Sequence, residues 1–167
     1  MASDVDIANS ALNNLGASNI NDLTEDSVAA RLCNQRYEFV RDSVFRAHPW
    51  NCLVRRSSLA QNTTAPDWQV EGRAIASNNS TMKIKYIGRI TDPNEYDMLL
   101  IECLSARLAA DIAYAVTNNN ALTATMWEMY NQKLSEARFV DATEGMPGTE
   151  GVDNGVMHAN TFINSRF

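Results

Sequence analysis

The sequence predicts a mainly α (α+β) fold: an antiparallel four-helix bundle, a small antiparallel β-sheet inserted between its second and third helices, and an extended carboxy-terminal arm. Three observations carry this. Apolar residues recur at helical spacing in four stretches, the period shortens from 3.6 to about 2 between His48 and Arg89, and the chain turns polar and glycine-rich after Gly145. The domain expectation is a bundle over residues 1–145, with its β insertion at about 50–90, and an arm over 146–167.

The first helix is expected from Asp4 to Leu15. Ser3 can cap it with Asp6 three positions on, Val5, Ala8, Ala11, Leu12 and Leu15 share a face, and Gly16 suits a left-handed stop. The second runs from Ser27 to Ala47, with Val28, Leu32, Phe39 and Val40 in one apolar set and Cys33, Tyr37, Val44 and Phe45 widening it. So wide a stripe implies contacts on two sides. Pro49 ends this helix and biases His48 out of the α region, leaving Trp50 to cover the helix end.

Strands are expected at Cys52–Leu59, Trp68–Val70, Ala74–Ala76 and Met82–Tyr86, with a turn at Glu71 and Gly72. Ser77, Asn78, Asn79 and Ser80 read as a hairpin tip, which would project toward a partner. Asp92 as cap, Pro93 in the first helical position and Glu95 reaching back place the start of the third helix there. It should extend to about Val116 with Leu99, Leu100, Cys103, Leu104, Leu108, Ile112 and Ala115 inward, and end at the run Asn118 to Asn120. The fourth spans Ala121 to Glu144, carrying Leu122, Met126, Met129, Tyr130, Leu134, Ala137 and Val140 inside, with Gly145 as its stop. At 1.5 Å per residue, helices two to four would be about 30 to 36 Å long, matched lengths that suit a bundle.

With 167 residues the chain can bury one core without disulfides or metals. Cys33, Cys52 and Cys103 are odd in number and lack C-x-x-C spacing, as buried thiols in a reducing compartment would. The amino terminus lacks a basic region followed by an apolar one, and no apolar window reaches the roughly 20 residues that span a bilayer, so the expectation is a soluble protein with no membrane partner. The Asn-x-Ser/Thr matches at Asn62, Asn78 and Asn79 mark polar loops.

Charge divides unevenly: residues 1–90 carry 10 Lys or Arg against 9 Asp or Glu, and residues 91–167 carry 4 against 11. The whole formal charge of -6 therefore comes from the second half. Nucleic-acid binding calls for a basic face, and Arg31, Arg36, Arg41 and Arg46 recur every five residues and so rotate around their helix, where pairing with acidic neighbours is expected instead.

Chemistry has little to start from. There is no G-x-S-x-G elbow, P-loop or dinucleotide turn, and neither His48 nor His158 has a neighbour at metal-ligand spacing, so no catalytic, cofactor or metal residues are expected. Asp4 with Asp6, and Glu25 with Asp26, stand where helix amino-terminal turns favour negative charge. Met126, Trp127, Met129 and Tyr130 cannot all face one core, which directs Trp127 to the sheet or to a neighbouring subunit. The arm has too little apolar content to order alone, but Val156, Met157, Phe162, Ile163 and Phe167 supply spaced anchors of the kind that order on binding.

A run of local sequences then adds a family. Leu15 to Ser18, Asp26 to Cys33, Val40 to Asn51 with its His48-Pro49-Trp50-Asn51 stop, Trp68 to Gly72, Tyr86 to Pro93, Leu104 to Ala113, and Tyr130, Lys133, Leu134, Glu136 to Arg138 and Glu144-Gly145 together cover most of residues 5–145. In order and spacing the chain resembles the head-to-tail adaptor, or tail tubular protein A, family of short-tailed bacteriophages. It departs from the family between Leu59 and Trp68, where the segment is short and a strand containing Tyr and Pro is missing, so a reduced β portion is expected.

The resemblance implies a structural virion protein and no enzyme. It implies a homo-oligomeric ring, typically of twelve subunits, between the portal protein and the tail nozzle or tube, with a central channel through which DNA passes without sequence-specific binding. It places the protein in the virion neck, and in the host cytoplasm during assembly. In the family the carboxy-terminal portion commonly reaches the portal, which directs Val156, Met157, Phe162, Ile163 and Phe167 to portal or neighbour contact on apolarity alone. The alternatives are a helical subunit of another ring complex and a small helical enzyme.

Overall fold

Ser3 and Asp6 close a capping box at the amino terminus. In the computed structural model, which describes residues 2–60, 68–71, 74–77 and 81–144, helix α1 spans Asp4–Asn14. Ser3 Oγ accepts from the Asp6 amide at 3.1 Å, and the Asp6 carboxylate accepts from the Ser3 amide at 3.0 Å. Two orphan donors of the first turn are thus satisfied reciprocally. These bonds favour the ionised form and hold the Asp6 carboxyl below its ordinary value. Gly16, at φ 69°, lets the Ala17 amide return to the Leu12 carbonyl at 3.0 Å. Asn9 then fixes the following loop. Its side chain donates to the Ile20 carbonyl at 2.9 Å and accepts from the Ile20 amide at 2.8 Å, which places Ile20 in the core.

Helix α2 spans Val28–Ala47; Ser27 is its cap, accepting from the Ala30 amide at 3.1 Å, and so precedes the helix it was expected to begin. Cys33, Tyr37, Val40 and Val44 occupy its buried stripe. Val28 and Phe39, expected inside, are 61% and 70% exposed. The reason is angular: a helix turns about 100° per residue, so a core that takes Val40 leaves Phe39 on the flank. Arg41, by contrast, is buried, with Glu38 and Asp42 as its acidic partners.

His48 is extended at φ -154°, as the following Pro49 requires, and Trp50 folds under the helix end, donating from Nε1 to the Val44 carbonyl at 3.0 Å. A 3-10 turn at Asn51–Leu53 takes the first residues expected in a strand, and β1 follows over Val54–Ala60. It pairs antiparallel with β4, Thr81–Ile87, in the register Val54 with Ile87 and Ala60 with Thr81. Between them in sequence, β2 (Trp68–Glu71) and β3 (Ala74–Ser77) form a second antiparallel pair. The expected single sheet is therefore two two-stranded ones. At the root of the β1–β4 ribbon the Gly88 amide donates to the Leu53 carbonyl at 2.8 Å, and a Cβ there would stand 3.1 Å from Arg55 Cγ.

The third helix starts later than its sequence signal suggests. Asp92 does cap a turn, accepting from the Asn94 amide at 2.9 Å, but Pro93–Glu95 form one 3-10 turn and Tyr96 is extended. Tyr96 is pulled inward, donating to the Ile90 carbonyl at 2.8 Å and meeting Phe45 edge-on at 5.5 Å. Helix α3 spans Met98–Thr117 with Asp97 as its cap, accepting from the Leu99 amide at 2.9 Å. Asn118 ends it in the left-handed conformation, and Ala115, expected inside, is exposed. Asn119 accepts from the Ala121 and Leu122 amides to start α4, Asn120–Glu144. Met126, Tyr130, Leu134, Ala137 and Asp141 form its buried face, with Leu122, Met129 and Val140 half-buried beside it.

Helix α3 packs against α1, α2 and α4, and is the centre of the molecule. Leu100, Leu104, Leu108 and Ile112 fill the core, while Ala106, Ala109, Ala110 and Ala113 let neighbours approach on its other sides. Ion pairs tie its rim: Arg36 on α2 to Asp111, and Lys133 on α4 to Glu102 at 2.6 Å. No helix among the described residues is long and apolar enough to cross a membrane.

Leu108→Ala should lower unfolding free energy by about 2–5 kcal/mol, as buried leucines do, whereas Phe39→Ala should change it by less than about 0.5 kcal/mol, as exposed sites do. Urea unfolding followed by circular dichroism reads both, and a large loss from Phe39→Ala would contradict its exposure. The cysteines give a second test. Burial pushes the Cys33 and Cys103 thiols from 9.0 up to about 11. The unfolded state therefore loses these protons first, and their contribution to stability, complete below pH 9, is lost as pH rises toward 11. Both should resist iodoacetamide at pH 8 in the native protein and react on unfolding, as followed by intact mass.

Candidate functional site

The end of α2 and the end of α4 meet at one carboxylate. Asp141 Oδ2 lies 2.8 Å from His48 Nε2, Asp141 Oδ1 accepts from the Asn51 amide at 2.9 Å, and the Asp141 carbonyl accepts from Asn51 Nδ2 at 2.6 Å. Arg138 adds a hydrogen bond to the Ala47 carbonyl, one of the groups left open where α2 stops. His48 also packs edge-on to Trp50 at 5.0 Å. The tetrapeptide that stops α2 is thus riveted to α4, a role that Asp141 gives no sign of in the sequence, because its partners lie some 90 positions away.

Beside this junction opens a cleft of about 490 Å³, lined by Asp42, Phe45, Arg46, Ala47, His48, Pro49, Ile87, Gly88 and Arg89. Arg89 clamps Asp42 with contacts of 3.0 and 3.1 Å. Burial raises the Asp42 carboxyl, but Arg89 and Arg41 outweigh it and hold the group below its ordinary value. A histidine beside a carboxylate invites comparison with a general-base pair, but among the described residues no Ser, Thr or Cys lines the cleft to act as nucleophile. Among the described residues no group of three or more His, Cys, Asp or Glu could hold a metal ion.

The remaining candidates are surfaces. Phe39 on α2 and Phe139 on α4 are 70% and 73% exposed, the two largest values for large apolar residues among the described residues. Trp127, assigned by sequence to a sheet or subunit contact, is 36% exposed; the Arg107 guanidinium lies over its ring at 4.1 Å and Tyr130 meets it edge-on at 6.1 Å. Arg107 Nε is buried without a hydrogen-bond partner among the described residues. Ser77 ends β3, whereas Asn78, Asn79 and Ser80 of the tip lie outside the described residues, as do Val156, Met157, Phe162, Ile163, Phe167 and the stop at Gly145. Of these sequence-derived contact residues, Ser77 and Trp127 lie among the described residues. Phe139 was legible in principle, since Leu134, Ala137 and Asp141 claim the inner face of α4 and leave position 139 opposite.

Neither a protein-family model nor a curated protein matches this chain.

Asp141→Ala should destabilise the protein by about 1–3 kcal/mol, because it leaves the partly buried Asn51 amide and His48 without their acceptor. Asp141→Asn keeps one acceptor oxygen and should lose about half as much. Chemical denaturation of the three proteins decides this; equal stability of Asp141→Ala and the parent would remove the carboxylate from its structural role.

Proposed function

We propose that the chain is a head-to-tail adaptor, a structural virion protein that forms a ring between the portal and the tail nozzle or tube. The assembly part of this reading is carried by two exposed phenylalanines on different helices, Phe39 on α2 and Phe139 on α4. A closed ring requires such a pair, since one face of each subunit must meet a different face of the next. The adaptor part rests on the resemblance in residues 5–145, including the His48-Pro49-Trp50-Asn51 stop whose packing against α4 makes it a fixed structural element.

In this reading α1 to α4 form the antiparallel bundle of the ring wall, the β ribbons project toward the nozzle through the Ser77–Ser80 tip, and residues 146–167 form the arm that contacts the portal. A ring of twelve such chains would carry twelve times -6, or about -72. If the acidic second half lines the channel, like charge keeps passing DNA from adhering. In this reading His48, Asp141 and Asp6 act structurally: Asp141 is committed to Asn51 and His48, and Asp6 to the cap of α1.

Sedimentation of the full-length protein, alone and with a portal ring, tests this against a chain ending at Gly145. The full chain should join the portal as a ring, and the truncated one should bind at least tenfold more weakly. Failure of both to join a cognate portal would sink the adaptor reading and favour a subunit of another complex. Equal binding by both would move the portal contact onto the helices.

A further inference from the structure

The two uncovered stripes carry opposite charge. At about 100° per residue, Val28 and Arg46 fall within about 20° of Phe39 around α2, and Glu128 falls within about 20° of Phe139 around α4. Arg31 flanks the first stripe and Glu136 the second; all of these residues are exposed. Among the described residues, none of Arg31, Arg46, Glu128 and Glu136 takes part in a salt bridge. Glu38 and Asp42 also lie on this side of α2, within about 100° of Phe39, but both are paired with Arg41 and Arg89, which leaves Arg31 and Arg46 as the charges there without an acidic partner among the described residues. On α4, Lys133 is paired with Glu102 and Arg138 bonds the Ala47 carbonyl, which leaves Glu128 and Glu136 beside Phe139.

We infer that the α4 stripe of one copy docks on the α2 stripe of the next, with Phe139 against the Phe39 surface and Glu128 and Glu136 facing Arg31 and Arg46. This rests on the ring reading and names its lateral interface. The occupant is a second copy because each stripe finds its complement on the same chain. Pairing either stripe with itself would set arginine against arginine or glutamate against glutamate, which costs free energy and disfavours a two-fold dimer. The contact is therefore heterologous, and repetition of a heterologous contact closes into a ring or continues as a filament. The exposed phenylalanines supply apolar area at the centre and the charges set partner and orientation, the division of labour expected of an interface.

Charge reversal in the full-length protein tests the pairing. R31E/R46E and E128K/E136K are made separately, checked for unchanged helical circular dichroism, and sedimented alone, mixed in equal amounts, and with a portal ring. Each variant alone should associate at least tenfold more weakly than the parent. Their mixture should recover to within threefold of the parent, because the reversed α2 stripe of one then meets the reversed α4 stripe of the other. Parent-like association of either variant alone, or no recovery in the mixture, overturns the pairing while an assembling parent leaves the ring reading standing. A variant that still self-associates but no longer joins the portal would make its stripe a portal contact, which also overturns the pairing. A parent that stays monomeric both alone and with the portal removes the ring reading and this interface with it.

Discussion

The fold depends on the burial of α3. This helix packs against three others, so its apolar residues cannot be confined to one stripe: Leu100, Leu104, Leu108 and Ile112 are joined by alanines at 106, 109, 110 and 113. Small residues allow close approach and so permit three neighbours where bulkier ones would admit fewer. The consequence for α1, α2 and α4 is that each needs only one buried face. Their outer faces are released from packing, and on α2 and α4 those faces carry phenylalanine. An exposed aromatic contributes little to the stability of its own chain, and it is on these two residues that the proposed ring interface rests.

Rigid presentation of those faces depends on the junction at Asp141. The carboxylate holds the extended stop after α2 to the last turns of α4, while Trp50 seals the end of α2 and Arg138 covers the Ala47 carbonyl. The same stop leads directly into β1, whose partner β4 returns to Gly88 and the Leu53 carbonyl. One set of hydrogen bonds therefore fixes the angle between two helices and the root of the β ribbon. In the ring proposed above, small errors in subunit shape would accumulate around the circle, and a junction that is locked at several points would limit them.

What was legible in the sequence was local. The Ser3–Asp6 box, Gly16, the Pro49 stop and the Asn118 end each depend on neighbours within a few residues, and each is realised. The β pairs were legible as strands but not as two separate sheets, because pairing is set across the chain. Asp92 and Pro93 gave a true cap signal for a turn that does not continue, since burying Tyr96 against Phe45 is worth more than prolonging a helix there. Phe39, Val28 and Ala115 were drawn inward by hydrophobicity alone; tertiary geometry assigned the core to other positions. The site was less legible than the fold. Trp127, set apart from the core by its spacing, packs at the surface on Arg107 and Tyr130, whereas the hold of Asn9 on Ile20 and of Asp141 on Asn51 links residues that no periodicity relates.

The buried Arg41 shows how specificity enters a helix otherwise governed by apolar pattern. Its guanidinium lies at 4% side-chain exposure, with Asp42 Oδ1 at 3.3 Å from Nε and Glu38 Oε1 at 3.8 Å from a terminal nitrogen that has no hydrogen bond within the described residues. Such a group is costly to bury and gains back its cost only where the acidic partners are in place. Asp42 is in turn held by Arg89, beyond the β ribbon, so that the chain Arg41, Asp42, Arg89 couples the core side of α2 to the wall of the cleft. The chain therefore acts beside the apolar stripe of Cys33, Tyr37, Val40 and Val44 in setting the rotation of α2 about its axis. That rotation decides where Phe39 and the flanking arginines face, and hence what α2 can present to another molecule.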